Sequence, residues 1–145
     1  MAEPPESTLM ALSTVSVRDV MSPGVIAVPS DTTVRACAQT MFERRTHAVL
    51  VVDQRSREAL GWVTHQDVLR YLRSDPMTTL AGGVISQEPA YIDADATVEE
   101  AAEQMIEEST THLLVGSPAV IPEGVLSSWD LVAHYARPVR AVGET

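Results

Sequence analysis

The sequence predicts an α/β fold in which two βαββα repeats pack around a pseudo-twofold axis. The first observation is a pair of seven-residue stretches, GWVTHQD at 61–67 and GVLSSWD at 124–130, which share one order of residue classes. The second is an Asp-x-Thr-Val helix start that occurs at Asp31 and again 64 positions later at Asp95. Similarity that stays in one register over several predicted elements indicates duplication. A unit of roughly 55 residues rarely buries enough apolar area alone, so the copies should pack together.

The first copy opens with a short helical turn at residues 17–21, which Ser-Pro-Gly at 22–24 closes. An apolar, β-prone strand follows at 25–28. The next helix is predicted to begin with Ser30 or Asp31 as its N-cap and to run to about residue 44. Its predicted buried face has the spacing of three and four and comprises Val34, Cys37, Ala38, Met41 and Phe42.

A hairpin and a second helix complete the copy. Residues 48–52 form a continuous apolar run, which indicates a strand buried on both faces. After a polar turn, residues 59–63 return as its partner strand. Thr64 then starts a helix, and the pattern predicts an apolar face of Val68, Leu69 and Leu72. By duplication we expect a loose tail at 1–14, repeat 1 at 15–76, repeat 2 at 77–136 and a C-terminal tail at 137–145.

Composition narrows the range of partners. The chain of 145 residues is 45% hydrophobic, enough for a packed core, and has a formal net charge of −10. Nucleic acid and anionic membranes both require a basic face, so neither is expected as a partner. The N-terminus lacks the pattern of a signal peptide, and no apolar run could cross a bilayer. The expected location is therefore cytoplasmic, and the single cysteine, Cys37, excludes an intrachain disulfide.

The order of elements, their tandem pairing and the two Gly-h-h-[Ser/Thr]-x-x-Asp turns resemble the cystathionine-β-synthase (CBS) domain, two of which form a Bateman module. The resemblance covers residues 17–72 and 80–136 and includes the Val-Met-Ser-Pro stretch at 20–23. It implies a regulatory module that forms homodimers and binds AMP, ADP, ATP or S-adenosylmethionine in clefts between the repeats. It implies no required cofactor.

The same resemblance implies which residues would contact the ligand. Asp67 and Asp130 would hold the ribose hydroxyls, and Thr64 and Ser127 would contact ribose or phosphate. The backbone of the first strand in each copy would frame the adenine, at Ile26, Ala27, Ala90 and Tyr91. The family often has a His-Arg pair just before the second strand, facing phosphate. Here those positions read His47-Ala48 and Thr111-His112, without the arginine.

The residues themselves leave alternatives open. A hydroxyl residue followed three positions later by an acidic one is close to a capping box, so Thr64–Asp67 and Ser127–Asp130 could serve only their own helices. His47 and His112 could be ordinary hydrogen-bonded or half-exposed histidines instead of phosphate ligands. Trp129, which replaces Gln66 of the first copy, could stack on a base, fill a cleft or lie in a dimer contact.

The resemblance thus implies a sensor of an adenosine-type ligand. No catalytic residues are expected, because no nucleophile–base pair, phosphate-binding loop or metal site is recognisable. The histidines show no paired ligand spacing, so no metal is expected. The alternative is a ligand-free dimeric interaction module that docks to a separate enzyme, transporter or regulator.

Overall fold

The computed structural model describes residues 14–75 and 77–137. The tails predicted at 1–14 and 137–145 lie outside these residues, except for their innermost positions. The described chain divides into two compact units. One contains residues 25–75 and 77–89, and we call it the first unit; the other contains residues 14–24 and 90–137, and we call it the second unit.

The elements follow in regular order. The helices are α1 (Val17–Val20), α2 (Val34–Arg44), α3 (His65–Arg70), α4 (Val98–Glu108) and α5 (Ser128–Ala136), with a short 3-10 turn at Ala81–Gly83. The strands are β1 (Ser22–Pro23), β2 (Ala27–Pro29), β3 (Ala48–Val52), β4 (Ala59–Thr64), β5 (Tyr91–Ile92), β6 (His112–Val115) and β7 (Gly124–Ser127).

The first unit contains a three-stranded sheet in the order β2-β3-β4. Strand β2 is parallel to β3, and β3 is antiparallel to β4. The central strand β3 is buried at its first four positions, as its continuous apolar sequence predicts. The core of this unit is formed by Val28, Val34, Cys37, Met41, Val49, Val51, Val63, Ala81 and Val84.

The second unit contains a four-stranded sheet in the order β1-β7-β6-β5. Strand β5 is parallel to β6, β6 is antiparallel to β7, and β1 is antiparallel to β7. Its core is formed by Val17, Ile92, Ala94, Ala101, Met105, Leu113, Val115 and Leu126. The order β2-α2-β3-β4-α3 thus recurs as β5-α4-β6-β7-α5, which confirms the predicted α/β class with two βαββα copies.

The segment that leads each sequence repeat packs on the sheet of the other copy. In the second unit Ser22 pairs with Val125 of β7, and in the first unit Gln87 forms a bridge with Trp62 of β4. The repeat boundaries at 15–76 and 77–136 follow the duplication in sequence, whereas the compact units exchange these leading segments.

The N-cap prediction for α2 is wrong. The cap is Thr33, whose Oγ1 accepts a hydrogen bond of 3.1 Å from the amide of Ala36. Ser30 and Asp31 belong to the turn that precedes it. Thr97 caps α4 in the same way, through the amide of Glu100. The Asp-x-Thr-Val pattern therefore places its threonine, not its aspartate, at the helix start.

The predicted apolar faces are partly wrong as well. Phe42, Leu69 and Leu72 are 85%, 62% and 68% exposed. The buried side of α2 ends at Met41, and α3 ends at Arg70, so Leu72 lies beyond the helix. Periodicity shows which apolar residues share one face of a helix, but it does not show which of them the rest of the chain buries. No helix within residues 14–75 and 77–137 is long and apolar enough to span a membrane.

Candidate functional site

The first Gly-to-Asp turn lies at the junction of β4 and α3. Thr64 is the N-cap residue, and its Oγ1 accepts a hydrogen bond of 3.3 Å from the amide of Asp67. In return Asp67 Oδ2 accepts one of 2.8 Å from the amide of Thr64. These reciprocal bonds form a capping box, which satisfies two amides that a helix start leaves unpaired. The capping interpretation is therefore realised here.

The Asp67 carboxylate is 1% exposed and has donors at both oxygens. Besides the Thr64 amide, Oδ2 accepts from the Thr64 hydroxyl at 3.1 Å and from the Ser86 hydroxyl at 2.6 Å. Oδ1 accepts from Nη1 of Arg70 at 2.9 Å. An ionised carboxylate offers about four lone-pair sites. Four protein donors are present, so Asp67 is saturated within its own unit.

The second turn has the same capping box but a less occupied carboxylate. Ser127 Oγ accepts from the amide of Asp130 at 3.1 Å, and Asp130 Oδ2 accepts from the amide of Ser127 at 2.9 Å. Asp130 is half-buried. Among residues 14–75 and 77–137, no donor reaches its Oδ1. The second turn therefore presents an open acceptor where the first does not.

The difference has two identifiable causes. Arg70 corresponds to Ala133 in the second copy, 63 positions later, so the second copy has no arginine three positions after its aspartate. Ser86 corresponds to Ser22, 64 positions earlier, but Ser22 is exposed and pairs with β7 only through its backbone.

Sequence reasoning missed both donors to Asp67. Arg70 was detectable, because residues three apart on a helix lie on one face and an Asp–Arg pair at that spacing is favourable. Ser86 had no local signal, since it lies 19 positions from its acceptor.

The glycines of the two turns are required by packing. A β-carbon on Gly61 would lie 2.5 Å from the carbonyl oxygen of Gln87 and would also meet the Ile85 side chain. A β-carbon on Gly124 would collide with the carbonyl oxygen of Ser22. In each unit the leading segment passes directly over the glycine. The glycine in each turn thus allows the leading segment to approach the strand closely.

Ala27 opens the first strand of the first copy, β2, and Ile26 directly precedes it. The carbonyl of Ile26 accepts a sheet hydrogen bond of 2.9 Å from the amide of Leu50, and Ile26 is half-buried against the core. Ala27 opens β2 and is exposed. Ala27 is therefore the more accessible of the two candidates.

Tyr91 opens the first strand of the second copy, β5, and Ala90 directly precedes it; both are half-buried. The carbonyl of Ala90 accepts from the amide of Leu114 at 2.8 Å. The carbonyl of Tyr91 accepts from Nε2 of Gln104 at 2.8 Å. Both carbonyls are thus already engaged in the sheet or by a helix side chain.

The candidate histidines lie beside the turn of their own copy. His47 is exposed, its carbonyl accepts the amide of His65 at 2.8 Å, and the two rings lie 5.1 Å apart between centroids. His112 opens β6 opposite Ser127, and its Nδ1 lies 2.8 Å from the Thr111 hydroxyl. Each unit therefore brings its histidine and its turn together.

Cys37 and Asp53 have shifted pKa values, and both residues lie outside the turns. Burial raises the pKa of the Cys37 thiol from 9.0 to about 11, which keeps it protonated and inert as a core residue. The backbone amides of Ser56 and Arg55 hold the pKa of Asp53 below its ordinary value, because they donate to the ionised carboxylate. Neither group contributes to the candidate site.

These features define a class: a duplicated α/β protein with one capped strand–helix turn in each copy. The chain belongs to the CBS domain family, whose model matches residues 17–74 and 81–137. The resemblance to a tandem CBS pair is thereby confirmed.

One relative is the Hypoxic response protein 1 of Mycobacterium tuberculosis, which is 30% identical over 122 residues. The alignment covers 82% of this chain and 84% of the relative. A crystal structure of Hypoxic Response Protein I with two coordinated zinc ions has 28% identity and a TM-score of 0.63, with 83% of this chain and 98% of that one covered. In the part of the present chain that the structure describes, no three His, Cys, Asp or Glu side chains are grouped to hold a metal ion.

Two further structures share the fold at low identity. A CBS domain protein from Pyrobaculum aerophilum in complex with AMP has 20% identity and a TM-score of 0.69, with 84% of this chain and 98% of that one covered. A CBS domain pair in complex with 5′-methylthioadenosine and S-adenosyl-L-methionine has 16% identity and a TM-score of 0.71, with 84% and 100% covered.

Proposed function

We propose that this protein is a non-catalytic regulatory module that reversibly binds an adenosine-containing molecule of the AMP, ATP or S-adenosylmethionine class. Membership of the CBS family supports the class of function. Two structures of the same fold hold ligands of this kind. The observation in this chain that carries the proposal is the open Oδ1 of Asp130 at the start of α5.

The chemistry of that carboxylate suits a ribose. Two vicinal hydroxyls can donate to one ionised carboxylate, and hydrogen bonds to a charged acceptor are stronger than neutral ones. Asp130 already uses Oδ2 for its cap, which fixes the side chain before a ligand arrives. Ser127, Ala90, Tyr91 and His112 are the further candidates in this unit. Thr64, Asp67, Ile26, Ala27 and His47 are those of the first unit.

The charge of the preferred ligand should be low. The position before the second strand carries His47 or His112 but no arginine, and the chain has a formal net charge of −10. The negative charge of the protein therefore repels a triphosphate, and no arginine at this position offsets that repulsion. AMP or S-adenosylmethionine should bind more tightly than ATP.

The turn residues support a role without catalysis. The hydroxyl oxygens of Thr64 and Ser127 each accept a hydrogen bond from the amide of the aspartate three positions later, so both serve as helix caps, which is a structural role. The protein would act in the cytoplasm by changing its ligand state and docking to a separate, unidentified enzyme, transporter or regulator.

A homodimer is part of the proposal. Exposed apolar side chains recur at corresponding positions of the two copies: Phe42 and Ile106, Leu69 and Val132, Leu72 and Tyr135. Exposed apolar positions that recur in both copies are unusual on a monomeric surface and fit a contact with a second chain.

The test is a thermal melt of the full chain with AMP, ATP or S-adenosylmethionine added separately. A ligand at 100 times its Kd adds about 2.7 kcal/mol to the stability of the folded state. For a chain of this size the melting temperature should rise by roughly 5–10 °C. No shift with any of the three at millimolar concentration would overturn the sensor function and favour the alternative, a ligand-free interaction module.

A further inference from the structure

We propose that the homodimer pairs unlike copies: helix α2 of one chain packs against helix α4 of a second chain, and twofold symmetry forms this contact twice. The inference rests on the homodimer in the proposed function and adds which faces meet. It depends on a difference in charge between two helix faces that occupy equivalent positions in the two copies.

Each of these helices has one exposed apolar side chain at the same position. Phe42 of α2 is 85% exposed, and Ile106 of α4 is 79% exposed. Residues three, four and seven positions earlier lie on the same side of a helix. The α2 stripe therefore comprises Arg35, Ala38, Gln39 and Phe42, and the α4 stripe comprises Glu99, Ala102, Glu103 and Ile106. The alanines are half-buried, and the other residues of both stripes are exposed.

The two stripes carry opposite charges. The α2 stripe contains an arginine and no acidic residue, whereas the α4 stripe contains two glutamates and no basic residue. Arg45, the exposed C-cap of α2, adds a positive charge three positions after Phe42, where α4 has the uncharged Ser109. Within residues 14–75 and 77–137, the stripe charges and Arg45 form no salt bridge.

The contrast in charge extends to the two units. Residues 25–89 carry seven arginines and seven acidic residues, so their formal charges balance. Residues 14–24 and 90–137 carry two arginines and ten acidic residues. Most of the negative charge of the chain therefore belongs to the second unit, and the first unit is the better electrostatic match for it.

A twofold dimer could use these stripes in two ways. If like copies met, Glu99 and Glu103 would oppose the same residues of the second chain, and Arg35 would oppose its own equivalent. Like charges placed opposite each other disfavour an interface. If unlike copies meet, each contact places arginine and glutamate around an apolar centre of Phe42 and Ile106. Because complementary charges fix the register of an interface, they favour this second arrangement.

An exchange of residues between equivalent positions tests the arrangement. Glu99→Arg with Glu103→Gln gives the α4 stripe the charge of the α2 stripe. If unlike copies pair, two basic stripes then oppose each other, and the dissociation constant of the dimer should rise by roughly 10- to 100-fold. Sedimentation equilibrium measures this constant. If like copies pair, the variant removes repulsion between glutamates, and an unchanged or lower dissociation constant would overturn the inference.

The reverse exchange supplies a rescue. Arg35→Glu with Gln39→Glu should also weaken the dimer, because two acidic stripes would meet. All four substitutions in one chain should restore the native dissociation constant, since each contact again joins opposite charges. That chain keeps the formal net charge of −10, so the recovery cannot come from a change in net charge. A chain with all four substitutions that dimerises as weakly as either exchange alone would contradict the pairing.

A matched control separates local from overall charge. Glu58→Arg with Glu88→Gln changes the net charge as much as the α4 exchange does, at exposed positions outside the helices. This control should leave the dissociation constant close to that of the unchanged chain. An increase as large as that caused by the α4 exchange would show that the stripes have no special role and would overturn the inference.

Cross-linking gives a readout that does not depend on charge. The native Cys37 is fully buried, so a chain with Phe42→Cys and a chain with Ile106→Cys each present one accessible thiol. A short bismaleimide should join the two chains after they are mixed and should not join either chain to itself. Efficient self-linking of each chain would overturn the inference and leave the homodimer intact. An unchanged chain that is monomeric at every concentration would overturn both, while the ligand melts would still test the sensor function separately.

Discussion

Gly124 lies directly beneath the backbone carbonyl of Ser22, so that no β-carbon fits between them. The two residues lie on neighbouring strands, since Ser22 belongs to β1 and Gly124 opens β7. Gly61 stands in the same relation to Gln87, in the first unit. Because neither glycine has a side chain, each leading segment can lie close against its sheet.

Replacing either glycine by alanine should destabilise the protein. Gly124→Ala forces the leading strand away and should cost about 1–3 kcal/mol, the range for overpacking. Gly61→Ala should cost at least as much, because Gly61 also has a φ of +150°. Gly83→Ala is the control, since nothing lies within 4 Å of a β-carbon there. Urea unfolding measures all three, and equal effects would contradict the packing role.

The threonine caps should be worth more than the residues that precede them. Thr33→Ala and Thr97→Ala each remove the oxygen that accepts an amide in the first helical turn, and each should cost about 1 kcal/mol. Asp31→Ala is the comparison, because Asp31 is exposed and was the alternative cap predicted from the sequence. It should change stability by less than about 0.5 kcal/mol. A larger loss for Asp31→Ala than for Thr33→Ala would restore the original prediction.

Cys37 should react with thiol reagents only after unfolding. Its side chain is fully buried, and burial raises the pKa of the thiol to about 11. The unfolded thiol ionises near its ordinary value, so between pH 9 and 11 the unfolded state releases the proton first. The contribution of the protonated Cys37 thiol to the free energy of unfolding is therefore complete below pH 9 and is lost as the pH rises towards 11.

The stability difference between the unchanged chain and Cys37→Ala measures this effect. That difference should narrow as the pH is raised from 8 to 10.5, because the alanine variant has no proton to release. Labelling with a maleimide at pH 7 gives a second readout. Rapid labelling of the folded chain would show that the thiol is accessible.

The exposed apolar residues on the helices should govern self-association. Phe42→Glu combined with Ile106→Glu places two charges at corresponding positions of α2 and α4, where the native side chains are 85% and 79% exposed. Light scattering should show a dimer for the unchanged chain and a monomer for this variant, because a buried unpaired charge is costly. Ile121→Glu, at a 91% exposed position outside the helices, should leave the dimer intact.

Much of the fold was predictable because its signals are local. The apolar run of β3, the hairpin that follows it and the hydroxyl–aspartate helix starts depend on residues within a few positions of one another. The duplication doubled each signal, and one register then related the two copies. The helix faces were less predictable, since Phe42 and Leu69 have the spacing of buried residues and are exposed.

The candidate site also has features that the sequence reveals and features that it does not. The Thr64–Asp67 and Ser127–Asp130 pairs can be recognised from their spacing of three. The four hydrogen bonds that saturate the Asp67 carboxylate could not be recognised from the sequence. The shortest of them comes from Ser86, which is 19 positions away and belongs to the leading segment of the next repeat.

The sequence alone determined the duplication, the element order and the two capped turns, because propensity and hydrogen bonding within one turn of helix suffice to specify them. The tertiary structure decided which glycine contacts which segment and which aspartate keeps a free oxygen. Those outcomes depend on donors and backbone that the fold brings together from distant positions, as with Ser86 at Asp67 and Ser22 at Gly124.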